Sequence, residues 1–353
     1  MLPAGTFYTR YRDEVAIVRT RFQWGLTITF LICLFVLPYF FVSAYWLTWL
    51  SLVAIYIIVV QSLHILTGLT GQISVGHAAF MGVGAYTSAN LVNAGFPFLA
   101  AVLCAALMAG VICLIFGLPA LRVKGYYLAL ATLAAQMIFG FAARHLGRFT
   151  EPTLGLKTVN PSIGGLVFAS SAQKYVLVMA FCVIAVIVAK NLMRSNTGRA
   201  FMAVRDNDIA AEVMGINIYR TKLLAFFISG IFAGVAGALW AHFTRDVEWG
   251  HFTLMTSIWF LGMLVVGGLG STAGACFGTF FIRAIDIGVR RLLPTLTRVI
   301  TPISSMVATQ LPSSLTVGAF ALAVILILLF EPRGLNHLWT RFKNWYRLHP
   351  FPY

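Results

Sequence analysis

A succession of long apolar runs divides this chain, and it limits the possible folds more than any other feature. The runs lie at approximately 24–42, 45–66, 74–93, 97–118, 125–143, 174–192, 222–243, 254–268, 272–290 and 314–330. A helix needs about 20 mainly apolar residues to cross a bilayer, where every backbone N–H and C=O must be satisfied internally. The expected fold is therefore all-α, a polytopic integral membrane protein with about ten membrane-crossing helices, one of them broken and glycine-rich. Composition agrees, with 60% hydrophobic and only 10% charged residues, against about 25% charged in soluble domains.

The net charge of +15 could suggest a nucleic-acid partner. Its placement excludes that, because the Lys and Arg residues flank the apolar runs. With the N-terminus inside, sixteen of the 25 fall on the side of both termini and the 193–221 segment, eight fall opposite, and Arg283 lies within a span. That asymmetry predicts cytoplasmic ends: an N-terminal segment 1–23, a transmembrane domain 24–330, and an aromatic, basic tail 331–353 lying at the inner interface. The first run is longer than a signal-peptide core and has no A-x-A ending, so an uncleaved span is expected. The segments 144–173 and 291–313, with their prolines, are expected as loops on the outer side, either solvated connections or a surface for an external partner. The five cysteines sit in apolar runs without C-x-x-C spacing and are expected to pack as small hydrophobes.

Between two apolar runs lies a polar island, Asn196–Lys222 (NTGRAFMAVRDNDIAAEVMGINIYRTK). Asp206 or Asn207 can cap a short helix, Asp208 suits its first turn, and Gly215 is placed to end it. Ile209, Ala210, Val213 and Met214 would form an apolar face. Such a helix can insert into a groove on another protein, or rest on the membrane surface as an amphipathic connector.

Two glycine-rich stretches stand out within the apolar part. Gly68–Tyr86 (GLTGQISVGHAAFMGVGAY) places Gly71, Gln72, Ser74, Gly76 and His77 where a span should begin. Polar, helix-breaking backbone at membrane depth is tolerated only where protein packs around it or it lines a watery cavity. The stretch is a close-packing helix, a broken helix on the translocation path, or both. Val265–Gly278 (VVGGLGSTAGACFG), with Gly268, Gly270 and Ser271, is a similar turn and a second candidate path element. Arg283 and Asp286, three apart, are expected to satisfy each other. Proton coupling usually needs intramembrane carboxylates, and the spans hold almost none. No phosphate-binding loop, H-E-x-x-H or nucleophile signature is present, so the chain is not expected to be an enzyme, nor to bind a metal.

Four blocks, LTGLTGQISVGHAAFMGVGAYTSA (66–89), LRVKGYYLALATLAAQMI (121–138), TGRAFMAVRDNDIAAEVMGINIYRTKLLAFFISGIFAGVAGAL (197–239) and VVGGLGSTAGACFG (265–278), together with the terminal EPRGL (331–335), resemble permease subunits of branched-chain amino acid ABC transporters, the LivM-type family. The resemblance implies a non-catalytic inner-membrane subunit of a bacterial importer. Its partners would be a second homologous permease, two cytoplasmic ATPase subunits that hydrolyse the ATP, and a periplasmic solute-binding protein. Ile209–Gly215 then resembles the coupling element that engages an ATPase, with Arg199, Arg205, Asp206, Asn207, Glu212 and Gly215 shaping the contact. The segments 147–161 and 291–313 depart from the family pattern and leave the solute open, since related permeases serve urea, amides and aromatic acids. A stand-alone channel or carrier is the rival from another class.

Overall fold

A computed structural model of the protein describes residues 21–41, 43–119, 125–300, 305–331 and 333–348. Almost all of the described chain is helix. In order the helices are α1 (Arg21–Phe41), α2 (Ala44–Leu63, continued by a π-helical turn His64–Leu69), α3 (His77–Asn93), α4 (Phe98–Gly117), α5 (Tyr126–His145), α6 (Ser171–Arg194), α7 (Asn196–Asp206), α8 (Asp208–Val213), α9 (Ile218–Thr244), α10 (Leu254–Gly267), α11 (Thr272–Ile300), α12 (Ser305–Phe330) and α13 (Leu335–Leu348).

Among the described residues, seven helices are long and apolar enough to cross a membrane: α2 with its π-turn, α4, α5, α6, α9, α10 with the turn before it, and α11. Val317–Phe330 and Leu335–Lys343 make an eighth if taken as one bent span. The chain is thus an all-α polytopic membrane protein, but the expected ten spans are not all met. Two reasons are local. The described apolar part of α1 covers only Trp24–Val36, and α3 begins at His77 and is 17 residues long, because the backbone before it has left the helix. The N-terminal segment expected at 1–23 lies almost wholly outside the described residues, as do Arg122 and Lys124.

The stretch 291–313, expected as a loop, is helical on both sides of 301–304, which lie outside the described residues. Here α11 runs on to Ile300 and α12 starts at Ser305, so Pro294 and Pro312 fall inside helices. Membrane helices tolerate proline where neighbouring groups satisfy the freed carbonyl, so proline is a weak loop signal in such a chain.

At the centre stands α9, packed on α2, α3 and α4 through small residues. A Cβ on Gly237 would collide with the Met81 carbonyl of α3, and one on Gly234 would come within 2.7 Å of the Ala105 carbonyl of α4. Lipid is as apolar as leucine, so close backbone approach replaces the hydrophobic drive between helices. Arg283 and Asp286 do pair, Nη1 to Oδ2 at 2.7 Å, and Arg290 closes on the other carboxylate oxygen at 2.8 Å.

The segment 144–173 is ordered. β1 (Leu156–Lys157) pairs antiparallel with β4 (Asp246–Val247), just after α9, while β2 (Ser162–Ile163) and β3 (Leu166–Val167) form a small hairpin. Thr158 Oγ1 donates to the Ala241 carbonyl at 2.9 Å, Asn93 Nδ2 to the Lys157 carbonyl at 2.8 Å, and Lys157 pairs with Asp246 at 3.1 Å. This end of α9 is therefore clasped to the segment that follows α5.

Candidate functional site

The polar island folds as two short helices with a sharp corner between them. Ser195 caps α7, its side chain accepting from the Gly198 N–H, and Phe201 and Val204 bury the inner face of that helix. Asn207, extended at φ −159° and ψ 109°, ends α7 and caps α8 through its side-chain oxygen, 3.1 Å from the Ala210 nitrogen. Gly215 ends α8 with φ +84°, a conformation that costs glycine little. Asn217 then caps α9, accepting from the Arg220 N–H at 2.9 Å.

On α8 only Ala211 turns inward. Ile209, Val213 and Met214 are 70%, 82% and 80% exposed, and Ala210 and Glu212 are exposed beside them. Together they form a small apolar patch on an otherwise polar end. Next to it runs a groove of about 590 Å³ lined by residues that include Asp208, Glu212, Tyr219 and Lys222.

The break after α2 has its own support. After the π-turn His64–Leu69 the chain leaves the helix, Gly71 takes φ +71°, and helix resumes only at His77. A Cβ at Gly76 would strike the Thr132 carbonyl of α5, so the residue preceding α3 has no side chain with which to cap it. The orphan N–H groups at the start of a helix need other acceptors. Ser257 Oγ accepts from Ala78 at 2.9 Å and Gln136 Oε1 from Ala79 at 3.0 Å, while Thr132 Oγ1 accepts from Val75, just ahead of the helix, at 3.0 Å. Ser257 Oγ donates in turn to Gln136 Oε1 at 3.1 Å. His77 Nε2 lies 2.6 Å from Ser62 Oγ, which donates to the Ser229 carbonyl of α9. None of Ser62, Thr132, Gln136, Ser229 or Ser257 stood among the candidates read from sequence. Their signal was a polar residue inside an apolar run.

The structure brings the two groups of candidates together. Arg205 Nη1 donates to the Gly68 carbonyl at 2.9 Å, while Asp206 Oδ1 accepts from its Nε at 2.9 Å and pairs with Nη2 at 2.8 Å. A Cβ on Gly71 would come within 3.0 Å of Arg205 Cγ, and one on Gly270 within 3.4 Å of Nη1. The turn before α11 thus meets the break after α2 at this side chain. Gly268, at φ +107°, packs beneath the Arg333 carbonyl and Gly334, which brings the start of the C-terminal tail to the same junction. Ser271 accepts from the Gly274 N–H at 3.2 Å as the cap of α11. Arg199 stands apart, bonded to Asn196 and to the Arg194 carbonyl at the α6–α7 corner.

Several polar atoms at the break are buried without a hydrogen-bond partner among the described residues. They are Nε2 and Oε1 of Gln72, Oγ of Ser74, both ring nitrogens of His64 and Nδ1 of His77. Separately, an apolar cavity of about 490 Å³ lies between α3, α4 and α5, lined by residues such as Phe80, Val83, Ile112 and Phe139, with Asn90 and Thr150 among its few polar groups. No group of three or more metal-ligating side chains occurs among the described residues.

The chain is similar to known transport proteins. It is 32% identical to the high-affinity branched-chain amino acid transport system permease protein LivM of Escherichia coli (strain K12) over 246 residues, 63% of this chain and 58% of that protein. It is 37% identical to the autoinducer 2 import system permease protein LsrC of Enterobacter sp. (strain 638) over 113 residues, covering 31% and 33% of the two chains. It is 29% identical to the probable branched-chain amino acid transport permease protein LivH of Methanocaldococcus jannaschii over 158 residues, covering 44% and 50%. The chain thus spans less than two thirds of the length of these relatives, and no solved structure matches it. Residues 45–330 match the family described as branched-chain amino acid transport system / permease component, and the chain belongs to that family.

Proposed function

We propose that this chain is the non-catalytic permease subunit of a bacterial inner-membrane ABC importer, taking up branched-chain or related amino acids. A periplasmic binding protein delivers the solute, a second homologous permease completes the pathway, and two cytoplasmic ATPases supply the work. Both termini lie in the cytoplasm, and α1 and α3 contribute to about ten crossings.

The observation that carries this reading is α8, a helix capped at both ends with Ile209, Val213 and Met214 pointing away from the protein. The two caps hold this six-residue helix in one shape, as a docking element requires. The lone buried polar atoms at the break support a path there. Buried polar groups are normally paired, and a passing polar solute or its water can partner Gln72, Ser74 and His77. The apolar cavity between α3, α4 and α5 suits an aliphatic side chain.

The test is co-purification from the native membrane in mild detergent. ATPase subunits should accompany the wild type and be lost from a Val213→Asp, Met214→Asp variant, which changes only outward side chains. Wild type that holds no ATPase would refute the assignment.

A further inference from the structure

Arg205 lies two residues before the corner of α8, yet its side chain turns back into the bundle. It closes the end of the π-turn: the Gly68 carbonyl is among the last of that turn, where helical partners run out, and the guanidinium of Arg205 supplies the donor. A cation at a helix C-terminus is also favoured by the helix dipole. The same guanidinium is held by Asp206 through two nitrogens, so α7, the corner and the break are joined through one planar group. Arginine suits this task because its rigid fork bonds in two directions at once, which a lysine ammonium on a flexible stem does less well. The room for it comes from glycine, since a Cβ at Gly71 would press on Arg205 Cγ at 3.0 Å.

We propose that Arg205 is a positioning residue for transport, its bond to the Gly68 carbonyl delivering any displacement of α8 to the non-helical backbone of Gly71–Gly76. This rests on the docking reading given above for α8. Moving α8 moves Asn207 and Asp206, and with them the guanidinium. The bond to Gly68 must then stretch or pull the end of α2 along. The break is the compliant part, because the helix there has already been given up.

The test is hydrogen–deuterium exchange on the whole importer, with and without a non-hydrolysable ATP analogue, for wild type, Arg205→Lys and Arg205→Ala. In wild type, peptides covering 203–215 and 66–76 should both change on nucleotide binding. In Arg205→Ala the 203–215 response should remain, while that of 66–76 is lost. Arg205→Lys should recover part of it, and the 203–215 response should stay unchanged in all three proteins, which a loss of folding would not produce. An equal 66–76 response in Arg205→Ala overturns the proposal. If that variant does not assemble, wild type decides: a change at 203–215 with none at 66–76 overturns it. Failure of wild type to hold ATPases, or to respond at 203–215, overturns the docking reading and this proposal together.

Discussion

Gly84 of α3 and Gly234 of α9 face each other so closely that a Cβ on Gly84 would stand 2.5 Å from the Gly234 Cα. The obstruction is backbone, which cannot rotate aside. Gly84→Ala is therefore expected to destabilise the protein by about 1–3 kcal/mol, the usual cost of overpacking a filled core. By contrast Gly140→Ala in α5, where a Cβ meets nothing within 4 Å, should be neutral or slightly stabilising through helix propensity. Thermal unfolding of the two variants in the same detergent provides the comparison, and equal melting temperatures would contradict the packing described.

Removing the cap of α8 should weaken docking without disturbing the bundle. Asn207→Ala loses the oxygen that accepts from the Ala210 N–H and should cost that short helix about 0.5–2 kcal/mol. Asn207→Asp keeps an acceptor and should behave as wild type. ATPase retention on co-purification is the readout, with the permease's own melting temperature as the control.

The carboxylate of Asp286 is held between two arginines that differ in burial, Arg283 at 16% and Arg290 at 66% exposure. Asp286→Ala leaves Arg283 enclosed and unpaired, and the expected loss is about 3–5 kcal/mol. Arg290→Ala removes an exposed partner, and about 0–1 kcal/mol is expected. Similar losses for both substitutions would show that Arg283 draws its support from elsewhere, for instance from the Tyr56 ring 4.8 Å beneath it.

Stability and transport should part company at Gln72. Both side-chain polar atoms are buried without partners among the described residues, so Gln72→Met, similar in shape and apolar, should leave the melting temperature unchanged or raise it. Uptake of labelled leucine by the reconstituted importer should fall. Unchanged uptake would remove Gln72 from the path.

What could be read in the chain before folding was mostly what is local. The candidate caps included Asn207, and Gly215 was the expected terminator; their neighbours four residues away are enough to give them those parts. The helical class followed from run length alone. What could not be read were pairings across sequence distance, such as Thr132 with Val75, 57 residues apart, or Ser257 with Ala78, 179 apart. A serine in an apolar run looks the same whether it bonds its own helix or closes another. Arg205 makes the same point. The resemblance put it at the partner contact, and only the fold reveals that its guanidinium also bonds the Gly68 carbonyl. The prolines of 291–313 were a weak signal as well, since Pro294 and Pro312 fall within helices.

The clasp formed by β1 and β4 gives the centre of the molecule a mechanical asymmetry. The 27 residues of α9 make a rod about 40 Å long, held at one end by strand pairing and side-chain bonds and joined at the other, through the Gly215 turn, to α8. Backbone contacts tie this rod to α3 and α4, so a tilt about the clasp carries those helices with it. A tilt of about ten degrees would sweep the α8 end through roughly 7 Å over that length, while the clasped end only turns in place. The protein would then work as a hinged beam, with large travel on the side of α8 and rotation without travel on the side of the clasp.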